Sequence, residues 1–324
     1  MSEIMSYAVG KGDMFYINHC SDNFTIIDCY LKNDDERQEE ILKEIKEKSR
    51  KKGINRFIST HPDEDHIKGL TEIQNKIGIS NFYCVKNKAT KKDDETKDFK
   101  KYCELRDSDK ALFIKKGIQR KWMNQSDDER GSSGISVLWP DTENENYKEV
   151  LKAASEGGNT NNLSPVIKYS LNNGIKVIWF GDLESDFLEK VASEIDFPKV
   201  DIVFAPHHGR KSGKLSSDIL DKLDPRIIVI GEAPSKDTHY YNNRVQNHKD
   251  IAQDYAEGIE YYSEKAYNTI TQNSAGDILF NALDKETDIY VSKENYSKDL
   301  DNVSIKKSAK SFEGLTYFCT IVHN

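Results

Sequence analysis

The chain has 324 residues, 31% of them charged, and its net charge of −8 at pH 7 argues against a broad nucleic-acid surface, although it leaves room for a local basic groove. It contains no apolar run near the roughly 18 residues of a membrane-spanning helix, and its first residues predict no signal peptide. Five cysteines, an odd number without a C-x-x-C pair, indicate reduced thiols and a cytoplasmic protein.

The first part of the sequence predicts strands and helices in alternation. Residues 7–17 have the pattern of two strands joined by a glycine turn, and residues 23–29 form a β-branched, apolar strand. A helix is expected over 34–52, where apolar residues recur at helical spacing among Glu and Lys. Residues 54–60 predict the next buried strand.

The strand at 54–60 leads into the most informative stretch of the chain, the pattern H-x-D-x-D-H. It supplies four potential metal ligands within six residues: His61, Asp63, Asp65 and His66. Imidazole and carboxylate are groups that divalent cations accept as ligands. Because all four follow a strand end within one turn, they can converge on one cation or on two adjacent cations. A helix over 67–76 is expected to start directly after His66 and to point its amide groups at the site, which favours an anion.

Residues 86–130 are dense in Lys, Asp and Glu. We interpret them as a charged insertion over one edge of the fold, with helices at 100–110 and 111–123. A short strand at 81–85 precedes the insertion, and a strand at 135–140 follows it. The insertion either shapes access to a substrate or forms a solvated helical pair.

Two later strands also lead into potential ligands. The strand at 174–180 is followed by a Gly-Asp pair ending in Asp182, whose carboxylate can bridge two cations. The strand at 201–205 is followed by His207 and His208. Adjacent side chains of an extended chain point in opposite directions, so one His is expected to bind metal and the other to face the substrate. We assign His207 to the metal and His208 to the substrate, and the reverse assignment stays open.

Polar and basic residues near these strand ends are candidate substrate contacts. Asn161 lies in an Asn/Ser turn before a strand and offers a neutral amide. Arg210 and Lys211 directly follow the His pair and suit an anionic substrate. His239 lies in a polar loop after the buried strand at 226–231. For Asn161 and His239, the alternative is a purely structural turn or surface loop.

The H-x-D-x-D-H pattern resembles the first metal motif of the metallo-β-lactamase superfamily, H-x-H-x-D-H, with Asp63 in place of the second His. The variant also resembles one branch of that superfamily, which contains the soluble domain of the competence DNA-uptake channel protein and the choline-phosphate esterases of bacterial cell surfaces. The V-G-x-G-D sequence at 9–13, the I-D strand end at 27–28 and the P-H-H-G sequence at 206–209 carry the same resemblance.

The resemblance covers roughly residues 7–280 and implies a mixed α/β (α+β) fold, the four-layer αββα metallo-β-lactamase sandwich. We expect this hydrolase-like domain to span residues 1–284. A C-terminal extension at 285–324, of unknown role, is expected to pack on it. Asp13 and Asp28 are taken as structural residues near the floor of the site.

The resemblance further implies a two-metal site for zinc or manganese. His61 and Asp63 would hold one cation, and Asp65, His66 and His207 the other, with Asp182 between them. Most members of the superfamily carry a further His in the region of Asn161, so its absence implies weaker binding at the first site. Asp65 and His208 are the expected catalytic residues, with His208 as the acid for the leaving group.

These features together predict metal-dependent hydrolysis of an anionic phosphodiester, such as a nucleic acid or nucleotide, by a metal-activated water. No membrane partner is expected. One alternative is hydrolysis of a lactone, thioester or other acyl substrate. Another is a degenerate metal-binding scaffold that acts in a protein complex.

Overall fold

A computed structural model describes residues 2–32, 35–92, 95–172, 174–231, 268–298, 300, 303–306 and 311–323. Its strands are β1 (Ser2–Ser6), β2 (Phe15–Asn18), β3 (Phe24–Ile27), β4 (Cys29–Tyr30), β5 (Arg56–Ile58), β6 (Phe82–Cys84), β7 (Ala111–Phe113), β8 (Ile135–Trp139), β9 (Val166–Ser170), β10 (Lys176–Trp179), β11 (Ile202–Phe204), β12 (Ile227–Ile230), β13 (Thr269–Thr271), β14 (Ile278–Ala282), β15 (Glu286–Val291) and β16 (Thr316–Val322). Its α-helices are α1 (Asp35–Lys48), α2 (Glu64–Ile67), α3 (Leu70–Lys76), α4 (Lys97–Arg106), α5 (Glu145–Ser155), α6 (Ser185–Val191), α7 (Ser217–Leu223) and α8 (Gln272–Ala275).

Two sheets carry the fold. The first has nine strands in the order β16-β15-β14-β1-β2-β3-β5-β6-β7, and the second has six in the order β13-β12-β11-β10-β9-β8. Neighbours in the first sheet are antiparallel from β16 to β3 and parallel from β3 to β7. In the second sheet, β13 to β10 are parallel, while β9 is antiparallel to both its neighbours. The predicted mixed α/β fold with two sheets is confirmed.

The sheets face each other across an apolar core, and helices cover their outer faces. Phe15 of β2 contacts residues of the other sheet, with its ring centroid 6.1 Å from that of Trp179 and 4.7 Å from that of Phe204. On the outer face of the nine-stranded sheet, α1 buries Ile41 and Ile45 in a second apolar cluster. Helices α5 to α7 bury their apolar sides against the six-stranded sheet. The sequence of layers is therefore helix, sheet, sheet, helix.

The carboxyl ends of two parallel strand pairs lie at one edge of this sandwich. Strands β3 and β5 are parallel neighbours in the first sheet, and β10 and β11 are parallel neighbours in the second. Each of the four is followed directly by a segment that contains a predicted ligand or a carboxylate. Polar side chains far apart in the sequence thereby meet at the same edge.

The predicted helix over 67–76 is wrong in its start and its continuity. Helix α2 already begins at Glu64, so His66 lies inside it, and the chain leaves helical geometry at Lys68 and Gly69 before α3. Gly69 has a φ of +94°, and a Cβ there would lie 2.7 Å from Leu31. The close packing against Leu31 therefore requires glycine, and a left-handed glycine breaks the helix. The expected helix N-terminus after His66 does not exist.

The region predicted as a charged insertion, residues 86–130, contributes one strand to the nine-stranded sheet. Helix α4 occupies much of the first predicted helix, but residues 111–113 form β7, which pairs with β6 in parallel, instead of starting a helix over 111–123. The Lys-rich composition concealed the short strand, because only Leu112 of its three residues packs against the core.

The C-terminal strands β15 and β16 extend the nine-stranded sheet beyond β14. Cys319 and Ile321 of β16 are buried in the core. Within the described part of the chain, no helix is both long and apolar enough to cross a membrane.

Candidate metal centre

Five residues predicted as metal ligands, together with His208, meet around the buried carboxylate of Asp182, which was itself predicted as a ligand. His66 Nε2 lies 3.1 Å from Asp182 Oδ1, and His61 Nε2 lies 3.8 Å from Asp182 Oδ2. The Nε2 atoms of His207 and His208 lie 3.8 Å and 3.5 Å from the same Oδ2. Four imidazole rings from two loops therefore direct the same nitrogen towards one carboxylate.

Two further carboxylates stand at the periphery of this group. Asp63 Oδ2 is 3.7 Å from His61 Nε2, and Asp65 Oδ2 is 3.7 Å from His208 Nε2. The side chains of Asp63 and Asp65 are 30% and 27% exposed, whereas those of His61 and His208 are 0% and 1% exposed. The cluster thus has a buried floor and an open side lined by carboxylates.

The other nitrogen of each ring is held by a partner, which fixes the orientation of the ring. The Nδ1 atoms pair as follows: His66 with Asp28 at 2.9 Å, His208 with Asp13 at 3.1 Å, His61 with Ser164 at 3.2 Å and Thr60 at 3.1 Å, and His207 with Ser212 at 3.0 Å. Histidines that bind metal ions usually have such a partner on the nitrogen away from the ion.

The adjacent His207 and His208 converge, although the sequence predicted that they would diverge. The expectation assumed an extended chain, but His207 and His208 have φ values of +50° and +57°. Gly209 continues the left-handed turn at +82°, and a Cβ there would lie 2.5 Å from Ile230. In this turn both rings reach Asp182, with His208 buried and His207 13% exposed.

The side chains present fit a divalent cation. The Nε2 atoms of His61, His66 and His208 and Oδ1 of Asp182 are buried and make no well-aligned hydrogen bond with any described residue. Buried polar atoms without partners are costly, and a bound cation would satisfy them. One ligand atom each from Asp13, His66, Asp182 and His208 lie within 4.8 Å of one another. This buried His/Asp cluster is therefore a candidate site for a divalent metal ion.

The electrostatics of the cluster divide its histidines into two pairs. Burial lowers the pKa of His66 and His208, but the charge of Asp182 outweighs it, so both pKa values lie well above the ordinary value. Burial keeps the pKa of His61 and His207 below the ordinary value. Without a cation, His66 and His208 thus carry protons that a metal ion must displace.

The carboxylates respond in the opposite direction. Burial raises the pKa of Asp182, but the charges of His208 and His66 outweigh it and hold that pKa well below its usual range. Burial likewise raises the pKa of Asp65, but the nearby His208 and the charge of His66 outweigh burial and hold that pKa below its ordinary value. Both carboxylates are therefore ionised at neutral pH, as metal ligands must be.

The predicted substrate contacts have different surroundings. The amide of Asn161 donates to Glu184 Oε1 at 3.2 Å and so is engaged with the segment between β10 and α6. Arg210 and Lys211 follow the left-handed turn, where Lys211 is exposed and Arg210 half-buried. His239 lies outside the described residues. The roles assigned to these four residues stay predictions.

Several residues that shape the site were not predicted as part of it. Asp13 and Asp28 were expected near the floor but not as partners of ligand rings, although the V-G-x-G-D and I-D patterns that contain them signalled their place. Thr160 and Lys91 both contact Asp63 Oδ1 at 2.6 Å. Nothing in the sequence distinguishes Lys91 from its many lysine neighbours, so only the structure identifies it.

The two-sheet sandwich and the buried His/Asp cluster define a mixed α/β protein with a candidate metal centre. No protein-family model and no curated protein matches the chain. Similar solved structures include the metallo-β-lactamase fold protein YhfI from Bacillus subtilis, at 11% identity and a TM-score of 0.41 over 84% of this chain and 96% of that one. Igni18, a metallo hydrolase from the archaeon Ignicoccus hospitalis, has 14% identity and a TM-score of 0.48 over 86% and 99%.

An isothiocyanate hydrolase from Delia radicum gut bacteria is similar at 11% identity and a TM-score of 0.41, over 84% of this chain and 95% of that one. With identities this low, these likenesses say nothing about what this chain binds or transforms.

Proposed function

We propose that this chain is a metal-dependent hydrolase that cleaves phosphodiesters with water. The observation that carries the proposal is the convergence of four His Nε2 atoms on the buried Asp182, with every opposite ring nitrogen held by a partner. Such an arrangement places four ring nitrogens around one buried carboxylate, where a cation would replace the protons of His66 and His208 and satisfy the buried Nε2 of His61.

In this proposal, His61 and Asp63 hold one cation, Asp65, His66 and His208 hold the other, and Asp182 lies between them. Zinc and manganese are the expected metals, and the three carboxylates favour manganese more than an all-histidine set would. When bound, the cations favour ionisation of water and stabilise charge on a phosphoryl oxygen.

The proposal reverses the roles predicted for the adjacent histidines. His208 is 1% exposed and its Nδ1 is held by Asp13, which suits a ligand. His207 is 13% exposed and its Nδ1 is held by the Ser212 hydroxyl, which suits a group that meets the substrate. We therefore assign contact with the substrate beside the cations to His207, with Ser212 orienting its ring.

An anionic substrate is supported by one lysine at the open side and by two basic residues close in sequence to the adjacent histidines. Lys91 contacts Asp63, and Arg210 and Lys211 follow His208 in the chain. The sequence resemblance to the DNA-uptake branch favours a nucleic acid or a nucleotide over other phosphodiesters. A cytoplasmic location is part of the same proposal.

The test is hydrolysis of bis(p-nitrophenyl) phosphate by metal-stripped protein, with zinc, manganese or magnesium added back and a p-nitrophenyl ester measured in parallel. We expect phosphodiester turnover that requires metal and is lost in Asp182→Asn. Asp186→Asn, which changes an exposed carboxylate on α6, is the matched control and should retain full activity. Ester turnover without phosphodiester turnover would indicate an acyl hydrolase. Metal binding without either reaction would indicate a scaffold.

A further inference from the structure

Lys91 is held in place at the open side of the metal centre. Its Nζ lies 2.6 Å from Asp63 Oδ1, and the same ammonium lies over the ring of Phe99, 5.4 Å from the centroid. Phe99 lies in α4 and is fully buried, so the ring beside the ammonium is held rigidly. The side chains of Lys91 and Asp63 are 28% and 30% exposed, which leaves the ion pair partly screened from water. A lysine with a carboxylate on one side and a ring on the other is a fixed charge.

The two carboxylate oxygens of Asp63 contact different partners. Oδ1 accepts hydrogen bonds from Lys91 Nζ and from Thr160 Oγ1, each at 2.6 Å. Oδ2 faces His61 Nε2 at 3.7 Å. Asp63 can therefore offer only one oxygen to a cation beside His61, and its charge is already shared with an ammonium.

The two halves of the metal centre are unequal for a second reason. On the side of His61, the hydroxyl of Ser164 contacts the ring at Nδ1 and accepts a hydrogen bond from the amide of Asp182 at 3.1 Å. On the other side, His66 and His208 both direct Nε2 at Asp182. With His207 assigned to the substrate, one half has a single imidazole ligand and the other has two.

We infer that Lys91 is a built-in cation that weakens metal binding at the position between His61 and Asp63, so that the chain fills its two metal positions at different concentrations. At low metal concentration the centre holds one cation on the side of His66 and His208, with the Lys91 ammonium as the charge beside Asp63. The second cation binds only at higher concentration, against the repulsion of Lys91. This inference rests on the metal centre of the proposed function.

Replacement of Lys91 has two opposing effects, and the structure indicates which is larger. Loss of the ammonium frees Asp63 Oδ1 and removes a positive charge beside the cation, which tightens binding. Loss of a partner also loosens Asp63, which weakens binding. Thr160 keeps its hydrogen bond to the same oxygen when Lys91 is replaced, so much of the orientation survives. The charge effect should therefore dominate.

The experiment titrates the metal-stripped full chain with Mn²⁺ by isothermal calorimetry and counts bound metal after equilibrium dialysis. We expect two binding steps in the wild type. In Lys91→Met the weaker step should tighten on the order of tenfold while the tighter step stays unchanged. Lys91→Arg retains the charge and should keep the weak step. Thr160→Val, which alters the same oxygen without a change in charge, should not tighten it.

The matched control is Lys92→Met, which removes an exposed neighbouring lysine and should leave both steps as in the wild type. A weaker step that loosens or stays constant in Lys91→Met would overturn the inference. Because the measurement is metal binding, the proposed function fails separately. A weaker step that tightens in Lys91→Met, without hydrolysis by the wild type, would support the role of Lys91 and refute the activity. Absence of metal binding by the wild type would overturn both.

Discussion

Asp28 shows how much of the centre depends on one buried residue that is not itself a predicted ligand. Its carboxylate accepts hydrogen bonds from the amide and hydroxyl of Thr60 at 2.8 Å and 2.6 Å and pairs with His66 Nδ1 at 2.9 Å. It thereby connects the end of β3 to the metal loop and fixes the ring of His66. Its φ of +54° is a conformation that Asp and Asn tolerate better than most residues.

Asp28→Asn should lower metal affinity about 10- to 100-fold, because the amide fits the backbone but lacks the charge that holds His66. Competition with a chromophoric chelator measures the affinity, and thermal unfolding monitors the fold. Asp224→Asn is the control, since Asp224 also has a left-handed φ, of +46°, at an exposed helix end. Equal affinity of Asp28→Asn and the wild type would show that Asp28 does not orient the ligand.

Metal binding should also release protons, because Asp182 raises the pKa of His66 and His208 against the effect of burial. Below these raised pKa values each ring must lose a proton to bind, so metal affinity should rise with pH. Calorimetry near pH 6.5 in buffers of different ionisation enthalpy should give about two protons released per centre filled. An affinity that is independent of pH would contradict the charge states derived for these rings.

At the scale of elements, the turn between β1 and β2 is packed directly on the metal loop. The amide of Asp13 donates to the Asp65 carbonyl at 3.1 Å. A Cβ on Gly12 would clash with that carbonyl and with the ring of Tyr30. The turn is therefore a support for the loop that carries four of the ligands.

Gly12→Ala should lower the free energy of unfolding by about 1–3 kcal/mol, because backbone atoms must move to admit a methyl group. Chemical denaturation measures the loss, and metal affinity should fall with it as the loop shifts. Gly131→Ala is the control, since its Cβ would meet nothing within 4 Å. If Gly12→Ala were as stable as the wild type, the turn between β1 and β2 would accommodate a methyl group at little cost.

The sequence predicted secondary structure well where an apolar segment was followed by polar residues. It predicted poorly where tertiary contacts determine the backbone conformation. Strands β5, β10 and β11 were found because each is an apolar run followed by polar residues. The break between α2 and α3 was missed because it depends on Leu31, which lies more than thirty residues earlier in the sequence. The direction of His208 was missed because a periodicity argument assumes regular backbone, and this residue is left-handed.

At the scale of the whole molecule, strands β15 and β16 belong to the main sheet. Lys306 bridges Glu286 and Asp288 at 2.6 Å and 2.7 Å, which ties the segment before β16 to β15. This region carries no motif, so the sequence predicted only that residues 285–324 pack on the domain and did not identify the strands that they pair with.

Thiol labelling tests this arrangement. Cys319 on β16 is 1% exposed, and burial raises its pKa to about 12, whereas Cys20 is exposed. In the native protein, iodoacetamide should modify Cys20 rapidly and Cys319 only after unfolding, as followed by peptide mass spectrometry. Equal rates would mean that the C-terminal strands are not packed on the sheet.

The position of β1 in the nine-stranded sheet has a consequence for folding during synthesis on the ribosome. One edge of β1 pairs with β2, which follows it closely in the sequence. The other edge pairs with β14, so Ser2 cannot pair until its partner Ala282 has been synthesised. At roughly 5–20 residues per second, translation separates these two partners by tens of seconds. Throughout that interval the nascent chain carries an open strand edge whose backbone groups can pair with a neighbouring chain. The sheet can therefore close at β1 only after β14 has been made, and the yield of folded protein should depend on holdase chaperones that cover β1 until then.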